Sequence, residues 1–193
     1  KREMSPSSLL FYVGLDKRLN NLQHHNLFFD ADFDQHAKEI YDNPKWPKNP
    51  LFYLSCPSIT DPSLAPKGNE NLMFLIPLAP GLEDTNEMRE KYFDIVLKRL
   101  KDLTGNDIEK NIIFKKSYCV NDFEKDYNSF KGNAYGLANT LRQTAVLKPR
   151  MKNKKIKNLY YTGQLTVPGP GVPPSIISGQ IAAIEIDKYL NKL

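Results

Sequence analysis

The sequence predicts an α+β fold built on a mixed or antiparallel sheet, and three observations carry that reading. Apolar runs of strand length recur along the chain, at residues 9–16, 51–56, 72–78 and in "NIIFKKSYCV" (111–120). Helical periodicity is strong in one place above all, between Asp84 and Gly105. The strands also fall in runs with helices interspersed, which argues against a regular parallel α/β sheet.

Taken in order, "LLFYVGLD" (9–16) reads as a strand ending in a charged turn, and "NLFFDADF" holds a shorter strand around residues 27–30. "FDQHAKEIYDNP" (33–44) reads as a short helix stopped by Pro44. Runs 51–56 and 72–78 are strands joined by a Pro-, Asp-, Ser- and Gly-rich segment that reads as a long hairpin connection. Asp84 followed by Glu87 is a capping-box pattern, so a helix is expected to start there. Met88, Tyr92, Val96, Leu100 and Leu103 share one face of that helix, widened by Phe93 and Leu97, and Gly105 ends it. After the strand at 111–120, residues 122–127 read as a short helix followed by a glycine-punctuated loop.

The densest local signal lies at residues 158–190. "NLYYT" reads as a short buried strand, and residues 175–190 as a helix opened by Pro173 and Pro174. Between them lie Gly163, Pro168, Gly169, Pro170 and Gly171. A glycine-rich turn before a helix start suits an anion or a polar ring edge, because the first amides of a helix lack partners. Gly179, one turn into the helix, is expected to let it lie close on a sheet or ligand. The dinucleotide phosphate fingerprint G-x-G-x-x-G fails here, since Gly169-Pro170-Gly171 is followed by Pro174 at the last position.

Composition bounds the alternatives. At 193 residues with 40% hydrophobic and 25% charged residues, the chain is that of a globular protein able to bury a core. It opens without an initiator methionine, close to a strand, and reads as a piece cut from a longer protein. Cys56 and Cys119 lack metal-ligand spacing and read as buried reduced thiols. No run reaches membrane-spanning length. Asp61, before Pro62, reads as a turn residue rather than an acid–base group. His24 and His25 are expected on opposite faces of a strand, sharing no metal, and His36 on an exposed helix face. Arg142 is expected to be exposed. No metal site is expected, and catalytic residues stay unassigned. The net charge of +5 is concentrated at Lys148, Arg150, Lys152, Lys154, Lys155 and Lys157, a stretch with no acidic residue. That run lacks the interleaved aromatics of a nucleic-acid binder, so no nucleic-acid partner is expected.

"LYYTGQLTVPGPGVPPSIISGQIAA" resembles the C-terminal flavin-contacting segment of the bacterial-type phytoene desaturases, in the flavin amine-oxidase-like superfamily. "LFYLSCPSITDPSLAPKGNENLMFLIPLAP", "LLFYVGLDKRLNNLQHHNLFFDADF" and "GNAYGLANTLRQTAVLKPR" resemble further family segments in the expected order, so the resemblance covers nearly the whole chain. Two departures stand out: the family's G-x-G-x-x-G unit is missing, and "TAVLKPR" lacks an aromatic common in relatives. The resemblance implies an FAD-dependent desaturase of phytoene or a related long isoprenoid, which loses a hydride to the flavin and a proton to an acceptor. The alternatives are a related carotenoid oxygenase or isomerase, a retinol-saturase-type oxidoreductase, or a non-catalytic lipid-binding module if the chain is complete. It implies that 1–130 is a portion of a substrate-binding domain. Residues 131–193 are then the C-terminal part of an FAD-binding, Rossmann-like domain, completed by the strand–loop–helix. On this reading Gly163 and Gln164 line the flavin, and Gly169, Gly171 and Val172 bring main-chain donors to its ring. Pro168 stiffens the turn, and Ser175 both caps the helix and touches the cofactor. As a C-terminal fragment, the chain alone is expected to hold no FAD and to be inactive. The remaining partners are an apolar polyene and an anionic membrane surface, placing the protein in the cytoplasm at a membrane periphery.

Overall fold

The computed structural model describes residues 2–191. Strand β1 (Ser7–Leu15) buries Leu9, Phe11, Val13 and Leu15 on one face, the period-2 pattern that its sequence dictates. It lies inside a five-stranded sheet of order β2-β3-β4-β1-β5, with β2 (His25–Phe28), β3 (Phe52–Ser55), β4 (Glu70–Leu78) and β5 (Ile112–Tyr118). Every pairing is antiparallel. β3 and β4 pair across the long connection, which two 3₁₀ turns shape at Pro57–Ile59 and Pro62–Leu64.

Helix α1 (Phe33–Tyr41) starts at Asp32, whose carboxylate accepts from the Asp34 and Gln35 amides. Helix α2 (Asn86–Thr104) supplies the other half of the core through Tyr92, Phe93, Val96 and Leu100. The Phe93 ring sits 4.8 Å from Phe11 and 6.4 Å, edge-on, from Phe74. Burying each such side chain stabilises the fold by about 1.5–3 kcal/mol. Leu103, expected on this face, is exposed.

The start of α2 corrects the expected capping box. Thr85, not Asp84, is the N-cap, and its side chain accepts from Met88 N–H. Asp84 is instead drawn into a buried ion pair with Arg89, which also reaches Asp122. Gly105 closes α2 in the left-handed region at φ +77°. Helix α3 (Val120–Tyr127) begins slightly earlier than expected, with Asp122 accepting from Cys119 N–H at 2.9 Å.

The chain divides into two units: Pro6–Asn133, which holds the sheet and α1–α3, and the segments on either side of it. The second unit thus includes the residues before Pro6 as well as everything from Ala134. Ser5 N–H donates to Gly136 at 2.9 Å, Ala138 N–H to Glu3 at 3.1 Å, and Gln143 bonds both the Glu3 amide and carbonyl. Its main element is α4 (Val172–Leu190). The expected strand at residues 158–162 is not there. Tyr160 makes an isolated bridge to Lys152, while Asn153 N–H bonds Leu159 and closes the backbone into a tight loop. The Thr162 hydroxyl turns to Ser178 of α4.

Candidate cofactor and substrate sites

The turn before α4 is held by one buried serine. Ser178 Oγ, fully buried within α4, lies 2.9 Å from Thr162 Oγ1 and 2.9 Å from Thr166 Oγ1, and accepts from Gly163 N–H at 2.9 Å. Thr166 closes back on the Gly163 carbonyl through both its amide and its hydroxyl. Residues 162–166 are thereby pinned to the helix, and Gly163 belongs to this knot.

Beyond it, Val167–Pro168 is a cis peptide, and the chain reaches Gly169 at φ +138° and Gly171 at φ +111°. These values suit glycine alone. Gly169 departs from its expected role. A Cβ there would lie 3.2 Å from Lys148 Cε and 3.3 Å from Nζ, so the missing side chain makes room for a buried lysine. The Lys148 ammonium donates to Asn139 Oδ1 at 3.2 Å.

Gly171 is the N-cap position of α4, and Ser175 N–H donates to its carbonyl at 3.0 Å. Ser175 therefore sits within the first turn and does not cap the helix. Pro173 and Pro174 carry no N–H, which removes donors that a helix start normally offers. The amides of Gly171 and Val172 remain, meeting no acceptor among the described residues. Gly179 is not needed for close packing, since a Cβ there would meet only Thr162 Oγ1 at 4.0 Å.

At this helix start lies an open groove of about 530 Å³ lined by Tyr135, Gln164, Gly171, Val172, Ser175 and Ile176, with Ala134 beside them. Of the residues expected to touch a cofactor, it brings together Gln164, Gly171, Val172 and Ser175. Gly163, Pro168 and Gly169 shape the turn and do not line it. Tyr135 is an addition; its signal was the glycine beside it, because a Cβ at Gly136 would press on Gln164 and Leu165 at 3.1–3.4 Å. The groove has both apolar and polar lining. It offers an aromatic face, a side-chain amide, free main-chain donors and the positive end of a helix dipole.

The sheet unit holds a different cavity, of about 300 Å³ and almost wholly apolar, bounded by Leu27, Phe29, Phe33, Ile40, Tyr53 and Leu75 among others. Leu27, Tyr53, Leu75, Leu10 and Tyr118 are successive partners across all five strands, on the face opposite Phe11 and Phe74. His36, expected to be exposed, is buried beside this cavity. Its Nδ1 accepts from Leu51 N–H at 3.1 Å and its Nε2 lies 3.0 Å from the Pro77 carbonyl, which defines a neutral ring protonated at Nε2. Burial holds its pKa below 6.5.

The other titratable groups are structural. Burial pushes the Cys56 thiol up to about 11 and Cys119 to about 12, so neither carries thiolate character. Asp61 accepts from Ser63 N–H at the start of a 3₁₀ turn. The His24 and His25 rings do not diverge: they lie 4.1 Å apart, because His24 precedes β2 and escapes its alternation. Their Nδ1 atoms bond Thr60 and Tyr53 hydroxyls. Among the described residues no cluster of His, Cys, Asp or Glu is arranged to hold a metal. Arg142 is exposed. No helix among the described residues is long and apolar enough to cross a membrane.

A crystal structure of an oxidoreductase from Methanosarcina mazei superposes with a TM-score of 0.52 over 94% of this chain and 35% of its own, at 15% identity, a likeness of fold alone. By sequence the chain is a homologue of the carotenoid desaturases. It is 45% identical over 179 residues to the carotenoid 3,4-desaturase of Haloarcula japonica, covering 93% of this chain and 36% of that protein. It is 34% identical over 188 residues to a 4,4'-diapophytoene desaturase of Staphylococcus haemolyticus, covering 94% and 37%. The chain thus spans a little over a third of the length of these relatives. No family model matches it.

Proposed function

We propose that the protein carrying this chain is an FAD-dependent desaturase acting on phytoene or a related long isoprenoid. The observation that carries the reading is the 45% identity to a carotenoid desaturase over 93% of the chain. FAD, when bound, supplies the acceptor for the hydride lost as a C–C single bond becomes double. The groove at the start of α4 is its ring site. Gly171 leaves space for the ring edge, the Gly171 and Val172 amides and the α4 dipole stabilise negative charge there, and Gln164, Ser175 and Tyr135 orient it. Gly163 and Pro168 hold the turn, and Gly169 admits Lys148.

The unit Pro6–Asn133 acts as the substrate-binding portion, and the unit holding α4 as part of the FAD-binding domain. The polyene lies along the apolar row Leu27–Tyr53–Leu75–Leu10–Tyr118, one end in the cavity beside Phe33 and Ile40. A substrate that dissolves in lipid places the protein at the cytoplasmic periphery of a membrane.

The test is product analysis of the full-length gene product in a bacterial host that accumulates phytoene. New conjugated double bonds and a flavin absorbance band are expected, and Gly171→Val is expected to lower the flavin-to-protein ratio. Unchanged phytoene together with a flavin-free protein would overturn the reading.

A further inference from the structure

Within the unit that contains α4, a second groove of about 580 Å³ is lined by Arg2, Lys148, Arg150, Lys152, Lys154 and Lys155, and by no carboxylate. Its shape is fixed by the backbone. Asn153 Oδ1 accepts from the Lys155 and Ile156 amides at 2.8 and 2.9 Å, and Tyr161 N–H bonds the Met151 carbonyl, so residues 151–161 form a closed loop. Arg2 braces the opposite wall by donating to the Leu147 carbonyl at 3.1 Å. The Lys148 ammonium is turned to Asn139, and Lys152 lies over the Tyr189 ring at 4.2 Å. Arg150, Lys154 and Lys155 are exposed, and among the described residues none of the groove's cations has an ion-pair partner. Elsewhere in the chain, Arg18, Lys45, Arg89, Arg99 and Lys115 do have one.

The flanks of this groove are apolar and bare. Val146, 94% exposed, and Leu147, half-exposed, lie on its lining, and Ile156, next to Lys155 in sequence, is 53% exposed. Cations alone would suit any polyanion. Cations beside unpartnered aliphatic side chains match a surface that offers phosphate and hydrocarbon together.

We propose that this groove and its aliphatic rim form the contact with an anionic lipid bilayer. Lipid phosphates sit against Arg150, Lys154 and Lys155, while Val146, Leu147 and Ile156 enter the acyl boundary. Clusters of four to eight Lys and Arg at a membrane surface bind anionic headgroups, each adding roughly 1 kcal/mol, about a fivefold factor. The contact rests on the proposed lipid-dissolved substrate only for its purpose. It is measured without turnover, so the two readings fail separately.

The test is sedimentation of the full-length gene product with vesicles of phosphatidylcholine alone or with about one third phosphatidylserine. Binding is expected to the anionic vesicles, weakening steeply as salt shortens the screening length. The triple change R150Q/K154Q/K155Q, at exposed side chains with no hydrogen bonds among the described residues, is expected to lower affinity on the order of a hundredfold. Val146→Ser is expected to lower it severalfold, because the aliphatic rim contributes. Circular dichroism checks that each variant is folded. Equal binding to neutral vesicles, or anionic binding unchanged in both variants, overturns the proposal. So does a groove that binds heparin or inorganic phosphate while the protein ignores the vesicles.

Discussion

Helices α2 and α4 are both 19 residues long, yet they solve different problems. α2 is amphipathic, capped by Thr85 and Gly105, and buries Tyr92, Phe93, Val96 and Leu100 against the sheet. α4 is apolar on nearly every side, has no side-chain cap and buries only Ser178 and Ala182. Val172, Ile176, Ile184 and Leu190 are all more than half exposed. One helix is fastened by its own core. The other is fastened by a serine, and its apolar surface finds few partners within its own unit.

The largest expected effect follows directly. Phe93→Ala in α2 is expected to destabilise the sheet unit by about 3–5 kcal/mol, the usual result of a large cavity under an aromatic cluster. Ile184→Ala in α4, at an exposed position, is expected to stay within about 0.5 kcal/mol. Trp46 is the single tryptophan and packs 4.8 Å from Tyr92, so its fluorescence in denaturant titration reports the sheet unit. Equal shifts for the two variants would erase the contrast between the helices.

Ser178→Ala tests the serine. It strips a shared partner from the Thr162 and Thr166 hydroxyls and from the Gly163 amide, so a loss of about 1–3 kcal/mol is expected locally. Amide exchange at Gly163 should accelerate accordingly, while exchange in β1 and β4 should not change. Protection at Gly163 that survives the substitution would mean the loop is held by something other than α4.

What could be read from the sequence divides along the same line. The strands β1, β3, β4 and β5 and the buried face of α2 follow from periodicity, because a residue's neighbours at two or at three and four positions decide its face. At the start of α4, glycine and proline announce only a turn before a helix; that Gln164, Gly171, Val172 and Ser175 share a site is implied by the family resemblance, which also implies Gly163, Pro168 and Gly169, and these do not line the groove. Periodicity could not reveal that Gly169 makes room for Lys148, that Asp84 is claimed by Arg89, or that His36 is buried by Leu51 and Pro77. Each depends on a partner that is distant in sequence or lies across a turn. The apolar cavity leaves a trace in the sequence: "MFLIPL" in β4 is apolar on both faces, which a strand with one solvent face would not be.

A smaller effect separates the sheet unit by pH. His36 is neutral and bonded at both nitrogens, and burial lowers its pKa from 6.5. Below 6.5 the unfolded chain binds a proton that the folded one resists, so stability is full above 6.5 and is lost as pH falls through the lowered folded value. The Trp46-monitored midpoint should fall between pH 7 and 5, and His36→Gln should flatten that slope. A slope that is the same in both proteins would assign the pH dependence to other groups.

Two glycines, one inside α4 and one at its N-cap, are expected to respond to alanine in opposite directions. Gly179 is a helix-interior glycine at ordinary φ, and an added Cβ would meet nothing closer than Thr162 Oγ1 at 4.0 Å. Alanine there removes backbone freedom from the unfolded chain without crowding, so Gly179→Ala is expected to stabilise α4 by about 0.5–1 kcal/mol. Gly171 stands at φ +111°, where alanine is strained, and its Cβ would press on Pro174 Cδ at 3.3 Å. Gly171→Ala is therefore expected to destabilise the helix start by about 1–3 kcal/mol. Amide exchange along α4 reads both variants, slower for Gly179→Ala and faster in the first turn for Gly171→Ala. If both glycines tolerate alanine equally, then the turn before α4 is not held at positive φ, and the space in front of Val172 is not kept open by Gly171.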